Sequence, residues 1–169
     1  MKLLARPLLA LPLLYVLYGC DLFTHYRLVS QTYGFSVEFP EKPIEDSNAN
    51  YQGLPKSLWI VERASSKEFY SAEATTYKEE LNPAPNWIPN REALAGVEIQ
   101  VTDVRRFKLR AASTGREVRA IATTAKQIPT GSILSSIYII DGRTLISVTA
   151  RSNDEAHRVA FLRSFTMLR

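Results

Sequence analysis

Three adjacent carboxylate pairs, two histidines and a single thiol are the features of this 169-residue chain whose types and spacing invite a chemical reading. The pairs are Glu45–Asp46, Glu79–Glu80 and Asp154–Glu155. Two carboxyl groups cooperate in acid–base work when they converge in a cleft and their environments drive their pKa values apart. The first two pairs fall in or beside polar loop stretches and the third at a helix start. Solvation and a favourable meeting with the helix dipole account for them there. His25 and His157 lie far apart, with no Cys or carboxylate cluster at zinc-ligand spacing, so neither a metal nor a cofactor is expected. His157, beside Arg158 and just after Asp154–Glu155, reads as an ordinary helix-surface residue. The chain has no Gly-x-Ser-x-Gly elbow, no P-loop and no Gly-x-Gly-x-x-Gly. No catalytic residue is expected.

Two features point to binding instead. Arg106, Lys108 and Arg110 place three positive charges on one face of a strand, with Arg119 on a neighbouring strand. Such a row is either a solvated edge, where basic side chains discourage edge pairing, or a patch for an anionic partner or lipid head groups. Charge reversal at Arg106, Lys108 and Arg110 is expected to leave the fold intact; a circular dichroism melt checks this, and an unfolded variant would contradict the strand assignment. The second feature is Trp87–Ile88, set between prolines in Asn82-Pro-Ala-Pro-Asn-Trp-Ile-Pro-Asn90. These side chains either fold back as a staple on the next helix or form the anchor of a partner-binding loop.

The thiol is Cys20. A basic start, Met1-Lys2 and Arg6, leads into an apolar run from Leu8 to Tyr18 that prolines interrupt and that is short for a bilayer span. It closes on Leu17-Tyr18-Gly19-Cys20, which resembles the lipobox of bacterial lipoproteins, with Tyr18 where a small residue is usual. The resemblance implies residues 1–19 as a cleaved signal peptide and Cys20 as the acylated first residue. Plain secretion and a retained anchor are the other fates of such a segment. Lipidation also explains an odd cysteine in an exported chain. Residues 20–32 then read as a lipidated N-terminus and linker. Asp21 resembles the signal that keeps some such proteins in the inner membrane.

Cleavage leaves about 150 residues, one ordinary domain over 33–169. Lys2 and Arg6 depart with the signal, so the formal charge of +4 overstates the mature basicity. No basic run interleaved with stacking aromatics suggests nucleic acid. Phe35-Ser-Val-Glu-Phe39 alternates as a strand and stops at Pro40, and residues 41–56 read as a loop. Leu58–Val61 and Phe69–Tyr77 read as an antiparallel pair turning near Ser65-Ser66-Lys67. Asn90 is a candidate cap for a helix over roughly 91–103, with Leu94, Val97, Val101 and Val104 near one face. Val104–Ala111 and Arg116–Ala125 alternate as strands. Ile133–Ile140 and Thr144–Ala150, apolar on both faces, read as central strands joined by the hairpin signal Asp141-Gly142. Asn153–Met167 reads as a closing helix with a stripe of Ala156, Val159, Ala160 and Leu162 through Phe165. Hairpins without βαβ crossovers indicate an α+β fold, an antiparallel sheet flanked by helices in an α/β/α sandwich.

Gly34-Phe-Ser-Val-Glu-Phe-Pro-Glu-Lys-Pro43, Gly115-Arg-Glu117 before a strand, the Tyr138 strand entering a hairpin, and the closing Phe161-Leu-Arg-Ser-Phe165 together resemble the Mog1/PsbP-like superfamily. The resemblance runs from about residue 33 to the end, without the Gly-Trp that commonly follows the first proline in the photosystem branch. It implies an α/β/α fold used mostly to bind other proteins, with no shared catalytic residues. The sequence thus reads as a bacterial envelope lipoprotein facing the periplasm, held to the membrane by its N-terminal lipid and binding an envelope protein partner. The other readings are an envelope hydrolase using loop carboxylates and a carrier of lipid or another small ligand.

Overall fold

The structure, a computed structural model, describes residues 25–46, 50, 51, 53–82, 97–110, 113–125 and 131–168. Cys20, Trp87 and Ile88 lie outside the described residues.

The strand signal at residues 35–39 marks the centre of a small sheet. In β2 (Phe35–Phe39), Phe35, Val37 and Phe39 are fully buried on one face, while on the other Glu38 faces out and Ser36 is buried. β1 (Tyr26–Ser30) pairs with it antiparallel through a turn at Gly34, whose φ of 68° suits glycine. This is a correction to the linker reading of residues 20–32: the folded part begins by Tyr26. Leu28 and Ser30 point inward, but a polar residue inside, Ser30, and an apolar one outside, Val29, mask the alternation in the sequence.

Among the described residues, seven strands form the continuous path of the larger, eight-stranded antiparallel sheet. They are β3 (Ile44–Asp46), β5 (Leu54–Arg63), β6 (Glu68–Thr76), β7 (Val97–Arg110), β8 (Ser113–Ala125), β9 (Ile133–Asp141) and β10 (Thr144–Arg151). Their spatial order is β3-β5-β6-β10-β9-β8-β7, and the short β4 (Asn50–Tyr51) pairs with the start of β5. Residues expected in a loop over 41–56 therefore include three strand segments. The β5–β6 pair turns at residues 64–67, as its turn residues indicate, with Lys67 at φ 57°.

β9 and β10 occupy the middle of the sheet, as their two apolar faces require. Gly142 begins their two-residue turn with φ 59°, and Arg143 follows without positive φ, the pattern of a type II′ hairpin. Gly142→Ala is expected to cost about 1 kcal/mol, since an alanine there meets backbone strain and no crowding. Urea unfolding would register it as a shifted midpoint.

The helix expected over 91–103 is overturned for its second half, where residues 97–103 belong to β7; residues 91–96 lie outside the described residues. Val97, Ile99 and Val101 alternate as well as they fit a helical stripe. β-Branched residues favour the extended form, and the long pairing with β8 decides the matter.

Helix α1 (Glu155–Ser164) starts where Asp154 Oδ1 accepts from the Ala156 amide at 2.7 Å. Its buried residues are Arg158, Phe161 and Leu162, so the expected stripe is rotated: Ala156 and Ala160 are exposed. The helix ends at Phe165, and β11 (Thr166–Met167) pairs with β2 to complete the small sheet. Ser164 Oγ donates to Phe161 O at 2.7 Å and accepts from the Glu38 amide at 2.9 Å, tying the helix end to β2.

The core lies between the small sheet with α1 and one face of β5, β6, β10 and β9. Trp59 meets Phe35 edge-to-face at 5.7 Å, while Phe161 meets Phe39 at 5.2 Å and Tyr70 at 5.1 Å. Among the described residues the fold is mostly antiparallel sheet with one helix.

Candidate functional site

At the end of the sheet where β5 turns into β6 and β10 runs into α1, polar side chains converge on Glu68. Its carboxylate is only 7% exposed. Ser152 Oγ donates to its Oε1 at 2.9 Å, and His157 Nδ1 lies 2.9 Å from the same oxygen. Ser66 Oγ donates to Oε2 at 2.9 Å, and Arg63 Nη1 lies 3.7 Å away. Burial alone would raise the carboxyl's pKa, but hydrogen bonds from His157, Ser152, Ser66 and Tyr70 outweigh it and hold the value at about 2. Glu68 is therefore ionised and can only accept, so Nδ1 of His157 carries a proton. Burial, reinforced by the Glu68 charge, pushes the Tyr70 hydroxyl up to about 12, so it stays protonated at ordinary pH.

The backbone explains why these groups meet. Ser66 lies in the turn and Glu68 opens β6 directly after it, Ser152 sits where β10 ends, and His157 lies in the first turns of α1. Ser152 Oγ also accepts from the Asp154 amide at 3.1 Å, and the buried Arg158 donates from Nη1 to the Ser152 carbonyl. Turn, strand end and helix start are thus joined through one carboxylate.

Beside this cluster opens a cleft of about 120 Å³. Pro40, Tyr70, Ala160 and Phe161 form its apolar wall; His25, Glu38, Arg63, His157 and Ser164 supply polar atoms. Arg63 bridges the two, with Nη2 donating to Pro40 O at 3.3 Å and Nε 3.7 Å from Glu41.

The expectation that His157 is a plain surface residue is corrected. Its side chain is 38% exposed, and it bonds a carboxylate 89 positions earlier in the chain. No spacing rule reaches that far; the available signals were an acid heading an apolar strand and a histidine one turn into a helix. The expected basic residues are placed by their backbone. Arg106 pairs with Arg116, Lys108 with Thr114 and Arg110 with Ser113, on β7 at one end of the strand order. Arg119 pairs with Asp103, an odd number of rows from Arg106, and a register shift separates Lys108 from Arg110. The ladder does not bring the four positions onto one set of alternate rows.

Among the described residues, no group of three or more His, Cys, Asp or Glu could hold a metal, and no helix is long and apolar enough to cross a membrane. Of the carboxylate pairs, Asp154 caps α1, Glu155 occupies its first turn, and Glu45–Asp46 lie exposed in β3.

The architecture is similar to the solution structure of cyanobacterial PsbP from Synechocystis sp. PCC 6803. The TM-score is 0.55 at 8% identity, covering 88% of this chain and 95% of that one. No family model matches the sequence, and no curated protein does. The fold is PsbP-like, an α+β arrangement of antiparallel sheet and helix, as the sequence resemblance implies.

Proposed function

We propose that this protein is a membrane-tethered envelope lipoprotein whose PsbP-like domain is a non-catalytic module for binding or assembling other proteins. The observation that carries the non-catalytic part is the state of Glu68. A carboxylic acid serving as general acid or base near neutral pH needs a raised pKa and a substrate-facing proton. Glu68 has the opposite: a pKa lowered to about 2 and both oxygens occupied by donors that tie three elements together. This counts against Glu68 as the acid or base of a hydrolase. The neighbouring cleft offers about 120 Å³, well under the roughly 300–1,000 Å³ of sites that enclose a whole ligand, which counts against a carrier of lipid tails.

The tether is supported by the basic start, the short apolar run and Leu17-Tyr18-Gly19-Cys20. A lipid on Cys20 places the domain at the membrane surface, facing the periplasm, with Asp21 favouring the inner membrane. The domain then meets envelope proteins at high local concentration. Arg106, Lys108, Arg110 and Arg119 on β7 and β8, and the Trp87–Ile88 loop, are the proposed contact regions.

Affinity capture from crosslinked cells, run beside a Cys20→Ala control, tests this reading. Specific envelope proteins that co-purify only with the acylated form are the expected result. No partner in either sample, with both proteins equally stable, would contradict it.

A further inference from the structure

His25 lines the cleft and lies five residues beyond Cys20. An extended chain advances at most about 3.6 Å per residue, so the two are separated by no more than about 18 Å. A lipid on Cys20 leaves the mouth of this cleft within reach of the head-group layer, so it meets lipid before it meets anything else.

The chemistry of the cleft fits what lies at that depth. Its wall is Phe161, Tyr70, Pro40 and Ala160, and its polar atoms carry both signs. Glu38 is an exposed carboxylate on β2. Arg63 brings a guanidinium that holds Glu41 and Glu68 at 3.7 Å each, contacts an added phosphate can share. His25 adds an imidazole that can donate to a phosphate oxygen, while His157 keeps its Nδ1 proton on Glu68. A purely anionic ligand would meet Glu38 and the nearby charge of Glu68, and a purely cationic one would meet Arg63. The space, about 120 Å³, lies well under the roughly 300–1,000 Å³ of sites that enclose a whole ligand, so it suits a small polar group held at its mouth rather than an acyl chain.

We infer that this cleft is a head-group site for a zwitterionic aminophospholipid of the phosphatidylethanolamine type. The ammonium lies by Glu38, the phosphate by Arg63 and His25, and the glycerol end against Phe161 and Tyr70. Occupancy orients the domain, with the small sheet and α1 toward the bilayer. The source of the lipid rests on the proposed tether; the chemistry of the cleft does not.

The test uses the full Cys20→Ala chain, which carries no acyl group, and dihexanoyl phosphatidylethanolamine below its micelle concentration. Amide NMR shifts are expected to saturate and to centre on Glu38, Arg63 and residues 157–164. Ala160→Trp fills the cleft from an exposed helix position and is expected to weaken binding at least about tenfold. Glu38→Gln, which touches none of the Glu68 bonds, is expected to weaken it by about the same factor and serves if the tryptophan perturbs the helix. Phosphatidylglycerol of equal chain length is expected to bind about tenfold less tightly. Absence of saturable shifts, indifference to both substitutions, or equal binding of the two lipids would each overturn the assignment. Failure of the tether shows elsewhere, as a missing acyl mass on Cys20, and leaves this titration unchanged.

Discussion

Phe161→Ala is expected to destabilise the protein by about 4 kcal/mol, within the usual range for deleting a buried aromatic ring. The ring is 4% exposed and stands between Phe39 of β2 and Tyr70 of β6, with centroids 5.2 and 5.1 Å away. It therefore joins the helix to both sheets at once. α1 has ten residues and is too short to persist alone in water, so its helicity depends on this docking. Urea unfolding followed by circular dichroism measures the loss, and a melting temperature lower by about 8–16 °C should accompany it. Phe161→Leu keeps much of the apolar volume and should cost distinctly less. A cost below about 1 kcal/mol for the alanine would mean that α1 is held by something other than this contact.

Removing Glu68 should be nearly as severe, and its signature lies in acid. Glu68→Ala leaves Ser66, Ser152, His157 and Arg63 facing a vanished acceptor, with an expected cost of about 3 kcal/mol. The carboxyl ionises at about 2 in the folded protein against an ordinary value of 4.5. A lowered folded pKa contributes stability that is fully present above 4.5 and drains away as pH falls toward 2. The wild type should lose about 3 kcal/mol from this group across that window. Glu68→Gln, which preserves shape but cannot ionise, should start less stable at pH 6 and fall less steeply below pH 4.5. Urea midpoints at pH 6, 4 and 2.5 for the two proteins decide it; parallel acid limbs would contradict the account of Glu68 as an ionised clamp.

What the sequence makes legible follows from how local the cause is. The Asp141-Gly142 hairpin, the alternation of residues 35–39 and the interior place of β9 and β10 each depend on neighbours along the chain or on apolar content. Those expectations agree with the fold. Residues 97–103 satisfy a helical and an extended pattern equally, and only the partner strand β8 separates the two. β1 is hidden because exposed Val29 interrupts the polar phase of its alternation and buried Ser30 the apolar phase. The α1 stripe is misplaced because Arg158, charged and unexpected inside, takes a core position by reaching the Ser152 carbonyl. The Glu68 cluster is the least legible part. Its members come from residues 63–70 and 152–157, and their meeting is a product of strand order rather than of any motif. The acid pairs that do stand out in the sequence, Glu45–Asp46 and Asp154–Glu155, sit at an exposed strand and a helix start instead.

The proposed lipid ligand of the cleft has its source in the anchor. With a lipid at Cys20, the domain is confined to a membrane surface and its cleft faces the head groups. Without one, the same fold would have no reason to present that face to a bilayer. The mass of the N-terminal peptide, taken from protein purified out of the membrane fraction of the cells that make it, tests this most directly. The account predicts a chain beginning at Cys20 with acyl mass on that residue. A peptide that extends upstream of Cys20, or one that carries a bare thiol there, would contradict it.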